Sequence, residues 1–229
     1  MDPVADARAL VRERFPGARA GFLGGGVLSD RRTATSDLDI VVVLDGAPAP
    51  YRESLRWRGW PVELFVQDAR VIGAWFAKDV ARRRPTLMRM CTGGEVLVDV
   101  DGTAATVRGQ AKAVLAAGPP AAEQRELDAR RYGLTDLLDD LAGSTDPGET
   151  LLIRWNVFVD TAELALLLAG AWLGSGKWLL RELQATDPAL ADRLLAAHDQ
   201  SDELAKLAGQ VLARSGGRLW AGYHQPGSL

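Results

Sequence analysis

The apolar positions of this chain change period near residue 101. Before Asp101-Gly102, short apolar runs alternate with polar breaks. Residues 20–23 and 37–44 are predicted strands, and the second contains the run Ile40-Val41-Val42-Val43-Leu44 of a buried strand. Residues 53–58 and 61–66 flank Gly59-Trp60 and are expected to pair as an antiparallel hairpin. Asp68 is expected to N-cap a helix through Arg83, with Val71, Ile72, Trp75 and Val80 on its inner side. Residues 95–98 give one more short strand.

After Gly102 the pattern is helical. Ala- and Leu-rich segments cover 103–117, 121–142, 149–172, 177–185, 187–197 and 201–213. Gly118-Pro119-Pro120, residues 143–148, Gly174-Ser175-Gly176 and Asp187-Pro188 separate them. The expected fold class is α+β: a small mixed-sheet domain over 1–101, then an all-α helical bundle domain over 102–229.

Composition narrows the function. An apolar fraction of 47% and a charged fraction of 25% are ordinary for a globular chain. The net charge of −3 provides no global basic field, which weighs against nucleic acid as a partner. Cys91 is the one cysteine, so no intrachain disulfide forms and a reducing cytoplasm is the expected setting. The opening residues lack the charged and apolar regions of a signal peptide. The longest apolar stretch is about half the ~20 residues a membrane span needs, so no membrane partner is expected. With His198, His224 and one cysteine, a Cys/His zinc site has too few ligands.

The candidate chemistry begins at Asp37-Leu38-Asp39, at the head of the apolar strand. Side chains two apart on a strand share a face. Two adjacent carboxylates repel unless a cation lies between them. A hard divalent ion such as Mg²⁺ takes oxygen ligands and keeps positions open for phosphate oxygens. Gly24-Gly25-Gly26 precede the pair. Gly24-x-Gly26 followed by Asp45 imitates a dinucleotide fingerprint, but Ser29 occupies the third glycine position and residues 27–36 are too short and polar for its helix. Two readings remain: a glycine-rich tight turn, or a cradle whose backbone N–H groups approach a triphosphate.

Phe22-Leu23-Gly24, then Gly25-Gly26, then Ser36-Asp37-Leu38-Asp39-Ile40, resemble the signature of the DNA polymerase β-like nucleotidyltransferase superfamily. That signature is an apolar strand ending in Gly-Gly or Gly-Ser, a short interval, and Asp-x-Asp opening the next strand. The resemblance covers the first domain. It implies a nucleotidyltransferase domain with Asp37 and Asp39 as catalytic metal ligands and with Gly25, Gly26 and Ser36 at the nucleotide. It also implies a third acid from a neighbouring strand. Glu63, the single ionisable side chain in 60–66, is the candidate, with Glu53 in reserve. The alternative for Glu63 is a solvent-facing pair with Arg56 or Arg58 across the hairpin. Three carboxylates suit two Mg²⁺ ions. Two departures stand out. Gly26 sits where many members carry Ser. Leu28-Ser29-Asp30 replaces a common Ala-Arg-Gly, so Asp30 needs a partner such as Arg31 or Arg32.

In the helical half, Gly174-Ser175-Gly176-Lys177 imitates the end of a P-loop, but Ala171 and Trp178 break the pattern. The layout resembles bacterial aminoglycoside and lincosamide nucleotidyltransferases with a helical C-terminal domain. That resemblance implies that Lys177 binds the triphosphate of a nucleoside triphosphate substrate. The alternative is a solvated lysine at a helix end. Asn156, Asp160 and Glu163 fall within roughly 60° of one another on an otherwise apolar helix. They either meet an internal arginine or line a cleft, with Asp160 and Glu163 as acceptor-site candidates. Asp136, Asp139 and Asp140 read as a solvated face. The expected activity is Mg²⁺-dependent transfer of a nucleoside monophosphate, AMP from ATP, to a hydroxyl of a small-molecule acceptor. Pyrophosphate is released. One rival is a toxin-like enzyme acting on tRNA or protein, marked by a basic groove from Arg82-Arg83-Arg84 and Arg130-Arg131. Another is a degenerate nucleotide-binding module, against which the intact Asp37 and Asp39 stand.

Overall fold

The computed structural model describes residues 2–30 and 32–227. The chain divides into two compact units, Met1–Gly118 and Pro119–Leu229.

The first unit opens with helix α1 (Pro3–Arg14). Strand β1 (Ala20–Gly24) runs into a 3₁₀ turn (Gly26–Leu28), followed by β2 (Leu38–Leu44), β3 (Tyr51–Trp57) and β4 (Trp60–Asp68). Helices α2 (Ile72–Ala81) and α3 (Thr86–Gly93), strand β5 (Glu95–Asp99) and helix α4 (Thr103–Ala117) complete it. The five strands form one mixed sheet in the order β3-β4-β2-β1-β5. β2 and β4 are parallel and the other pairs antiparallel. Strand alternation places Leu38, Ile40 and Val42 of β2 beside Val62, Leu64 and Val66 of β4, in one core with Ala7, Leu10 and Val11 of α1. The opposite face carries Phe22, Val41 and Asp39, and α3 and α4 cover part of it.

Three features of this unit differ from the sequence reading. The sequence reading assigned no element before residue 20, yet α1 forms there. Asp2 accepts from Val4 N and Ala5 N, at 3.0 and 3.3 Å, and Pro3 fills the first helical position. Asp68 ends β4 rather than capping a helix. Its carboxylate accepts from the Arg70 guanidinium at 2.6 Å and from Arg70 N at 2.9 Å. Those bonds hold its pKa down at about 2. The expected boundary at 101/102 lies inside the first unit. Helix α4 stays with the sheet because Val107 and Ala111 are buried and Arg108 donates to the Cys91 and Gly94 carbonyls at 3.0 and 2.6 Å.

The second unit is all helical: α5 (Gln124–Gly143), α6 (Pro147–Leu168), α7 (Lys177–Thr186), α8 (Pro188–Ala196) and α9 (Ser201–Arg214). α6 is its centre and packs on α5, α7 and α9. Asp146-Pro147 and Asp187-Pro188 repeat the Asp-Pro start of α1, each aspartate capping the helix it opens. Among the described residues no helix is long and apolar enough to cross a membrane. A mixed sheet followed by helices is the α+β class expected.

Candidate active site

The three glycines at the end of β1 meet three different surroundings. A Cβ on Gly24 would lie 3.0 Å from Met90 Cγ, because α3 crosses directly over the end of β1. Gly25 has φ +79°, and a Cβ there would overlap the Asp39 carboxylate, 3.0 Å from its Cγ. Gly26 has no atom within 4 Å of such a Cβ, so the space for a serine side chain is open. The 3₁₀ turn is then closed by Ser29, whose hydroxyl donates to the Gly26 carbonyl at 2.8 Å.

Asp39 is the second residue of β2. It pairs with Gly24 on β1 and is in direct register with Glu63 on β4. Neighbouring strands lie about 4.8 Å apart, so these two side chains stand beside each other on one face. Asp37 lies just ahead of β2 and is half-buried. The Ser36 hydroxyl accepts from Thr33 N at 2.9 Å and closes the turn before the strand. Of the two residues named as partners for Asp30, Arg31 lies outside the described residues. Arg32 stacks over Trp60 at 4.9 Å.

Glu53 is removed as the reserve acid. It pairs with Leu64 on the α1 face and forms a two-point bridge to Arg14, at 3.1 and 3.2 Å. Glu63 does form a cross-hairpin ion pair, but with Arg52 at 2.5 Å rather than with Arg56 or Arg58. The turn explains the difference. Arg58 and Gly59 occupy it with φ +47° and +86°, the two positive values of a type I′ turn. Trp57 therefore faces Trp60, and Ser54 faces Glu63. A turn set at Gly59-Trp60 would have put Arg56 opposite Glu63. Moving a two-residue turn by one position shifts the register by two. Arg58 instead reaches Asp6 at 3.3 Å. Arg52 is thus the site residue that sequence reasoning missed, and the glycine at the second turn position was the signal that could have found it.

The donor set of Asp37, Asp39 and Glu63 is all oxygen and fits a hard divalent cation. The Asp39–Glu63 register and the side-chain-free Gly25 fit it as well. Among the described residues, however, no three His, Cys, Asp or Glu are grouped to hold a metal ion. Glu63 is held by Arg52 instead.

The helical unit answers the remaining candidates. Lys177 is exposed at the first position of α7, behind Gly176 at φ +53°. Gly174 is glycine because the backbone of Trp178 and Leu179 presses on it, which is a local packing reason and not a phosphate-binding one. Glu163 is buried and bridges to Arg130 at 2.7 Å, the internal-arginine outcome for the polar stripe. Asp160 is half-buried. Burial pushes its pKa up, Arg130 opposes the shift and Glu163 adds to it. Asn156 is exposed. Asp139 and Asp140 do not merely face solvent: with Glu149, Leu152 and Ile153 they line an open groove of about 590 Å³.

No protein-family model and no curated protein matches the chain. Among solved structures it is similar to the crystal structure, at 1.90 Å, of a nucleotidyltransferase-like protein from Exiguobacterium sibiricum 255-15. The match has 15% identity and a TM-score of 0.47, and covers 93% of this chain and 74% of that one.

Proposed function

We propose that this chain is a Mg²⁺-dependent nucleotidyltransferase that moves a nucleoside monophosphate, AMP from ATP, to a hydroxyl of a small-molecule acceptor. The observation that carries the reading is the strand register. It sets Asp39 beside Glu63, while Gly25 leaves room against the Asp39 carboxylate. Bound Mg²⁺ supplies Lewis-acid activation of phosphoryl oxygens and neutralises developing charge. Asp37, Asp39 and Glu63 are the residues that would hold it. Gly25 and Gly26 offer backbone close to the phosphates, and Ser36 keeps the loop before Asp37 closed. Glu163 is taken up by Arg130, which leaves Asp160 as the acceptor-site candidate of that pair.

Three arginines of the basic groove that would mark a tRNA substrate have internal partners. Arg82 binds Asp79, Arg130 binds Glu163 and Arg131 binds Asp128. That favours a small acceptor. The test is incubation with labelled ATP, GTP, CTP and UTP, Mg²⁺ and a library of hydroxyl compounds, following labelled product and pyrophosphate. Asp39→Asn is expected to lower turnover by at least about 10²-fold with the fold intact. Near-normal turnover in that variant would overturn the reading. Lys177 is tested separately by titrating ATP, ADP and AMP. Lys177→Ala is expected to weaken ATP binding by about tenfold and AMP binding far less. Equal losses would remove Lys177 from the proposal.

A further inference from the structure

We infer that Arg52 is a latch on the third carboxylate, and that a divalent cation competes with it for Glu63. The inference rests on the metal-dependent reading above and adds a positioning residue to it. Strand order carries the argument. Glu63 is on β4, with Asp39 beside it on β2 on one side and Arg52 on β3 on the other. A carboxylate drawn to Arg52 is drawn away from Asp39.

Arg52 is seated rather than loose. It lies directly opposite Phe65 in the hairpin register, and its guanidinium carbon sits 4.5 Å from the ring centroid. From there Nη2 reaches Glu63 Oε2 at 2.5 Å. That contact with the ring face seats the guanidinium within reach of Glu63. The pair is also easy to break. The Arg52 side chain is 60% exposed and that of Glu63 35%, and pairs with this access to water are weak. A cation held by Asp37 and Asp39 offers Glu63 a second partner on the β2 side, and the two partners cannot hold Glu63 at once. Arg56 lies on the same face of β3, four residues nearer the turn and opposite Pro61, so it carries the same charge without the stacked seat.

The experiment measures Mn²⁺ binding to the full chain without nucleotide, by calorimetry or by the paramagnetic signal of free Mn²⁺. Arg52→Gln is expected to tighten Mn²⁺ binding about two- to fivefold, the scale set by a half-exposed ion pair. Arg56→Gln should change it less. In the Glu63→Gln background Arg52→Gln should add nothing, because the latch acts through Glu63. Binding that is unchanged or weaker in Arg52→Gln would overturn the latch and leave the metal reading standing. An equal gain from Arg56→Gln, or an equal gain with Glu63 removed, would show long-range charge alone and overturn it too. Wild-type protein that binds no Mn²⁺ would remove the metal reading and the latch together.

Discussion

Glu63 and Glu163 are each held by an arginine, the first by Arg52 at 2.5 Å near a sheet edge, the second by Arg130 at 2.7 Å against a helical core. The distances nearly match, but the surroundings do not. The Glu63 side chain is 35% exposed and that of Glu163 is 8% exposed. Water can replace Arg52 around Glu63, whereas little water reaches Glu163 if Arg130 is lost. The first bond is therefore exchangeable. The second is structural, because it is a buried pair set against a helical core, where breaking a pair is costly. Access to solvent, more than bond length, separates a carboxylate whose partner can be exchanged from one fixed by packing.

The largest effect that would sharpen this contrast is on stability. Arg130→Ala should cost about 2–3 kcal/mol, somewhat below the usual range for a broken buried pair, because Arg130 itself is partly exposed. Arg52→Ala should cost less than about 1 kcal/mol. Urea denaturation at neutral pH compares the two. Similar costs would erase the distinction between the two glutamates.

A second contrast lies within the sheet site. Gly25→Ala forces a side chain into the left-handed backbone region and onto Asp39. The backbone term alone should cost about 1–2 kcal/mol, and Mn²⁺ affinity should fall with it. Gly26→Ser meets open space and should stay within about 0.5 kcal/mol of wild type. Melting curves beside Mn²⁺ titrations read both. Unchanged Mn²⁺ affinity in Gly25→Ala would separate the glycine from the Asp39 site.

How far the sequence could be read follows from which signals are local. The run Ile40–Leu44 and its two aspartates state β2 and its polar head in adjacent residues, so Asp37 and Asp39 were legible. The bundle helices were legible because Gly and Pro punctuate them. Helix α1 was missed although Asp2-Pro3 is the same start as Asp146-Pro147, because its polar face dilutes the apolar period. The partner of Glu63 was missed because register depends on where a two-residue turn sits, and Trp60 looked as much like turn as strand. The place of α4 was missed because its anchors, Cys91 and Gly94, are long-range contacts of Arg108. No periodicity records such contacts.

The smallest expected effect tests the helical side through pH. Asp160 lies on the same polar stripe as Glu163, and burial is the main cause that raises its pKa, with Arg130 opposing and Glu163 adding. A carboxyl whose folded pKa is raised binds its proton more tightly in the native state. It therefore makes no unfavourable contribution below the unfolded value near about 3.9. As pH rises through the folded pKa the native state must carry a half-buried charge, and stability falls. Asp160→Asn removes that charge while keeping the shape. The variant should melt above wild type at pH 7, and the two curves should converge as pH falls toward about 4. Asp68 gives the opposite slope for comparison. Arg70 holds its pKa down at about 2, so its contribution is present at neutral pH and is lost as pH falls from the unfolded value near about 3.9 through the folded one. Thermal melts of wild type and Asp160→Asn between pH 7 and about pH 4 decide the matter. If Asp160→Asn melts below wild type at pH 7, the ionised carboxylate is favoured where it stands. Arg130 would then be shared between Asp160 and Glu163, and the whole stripe would be one structural network.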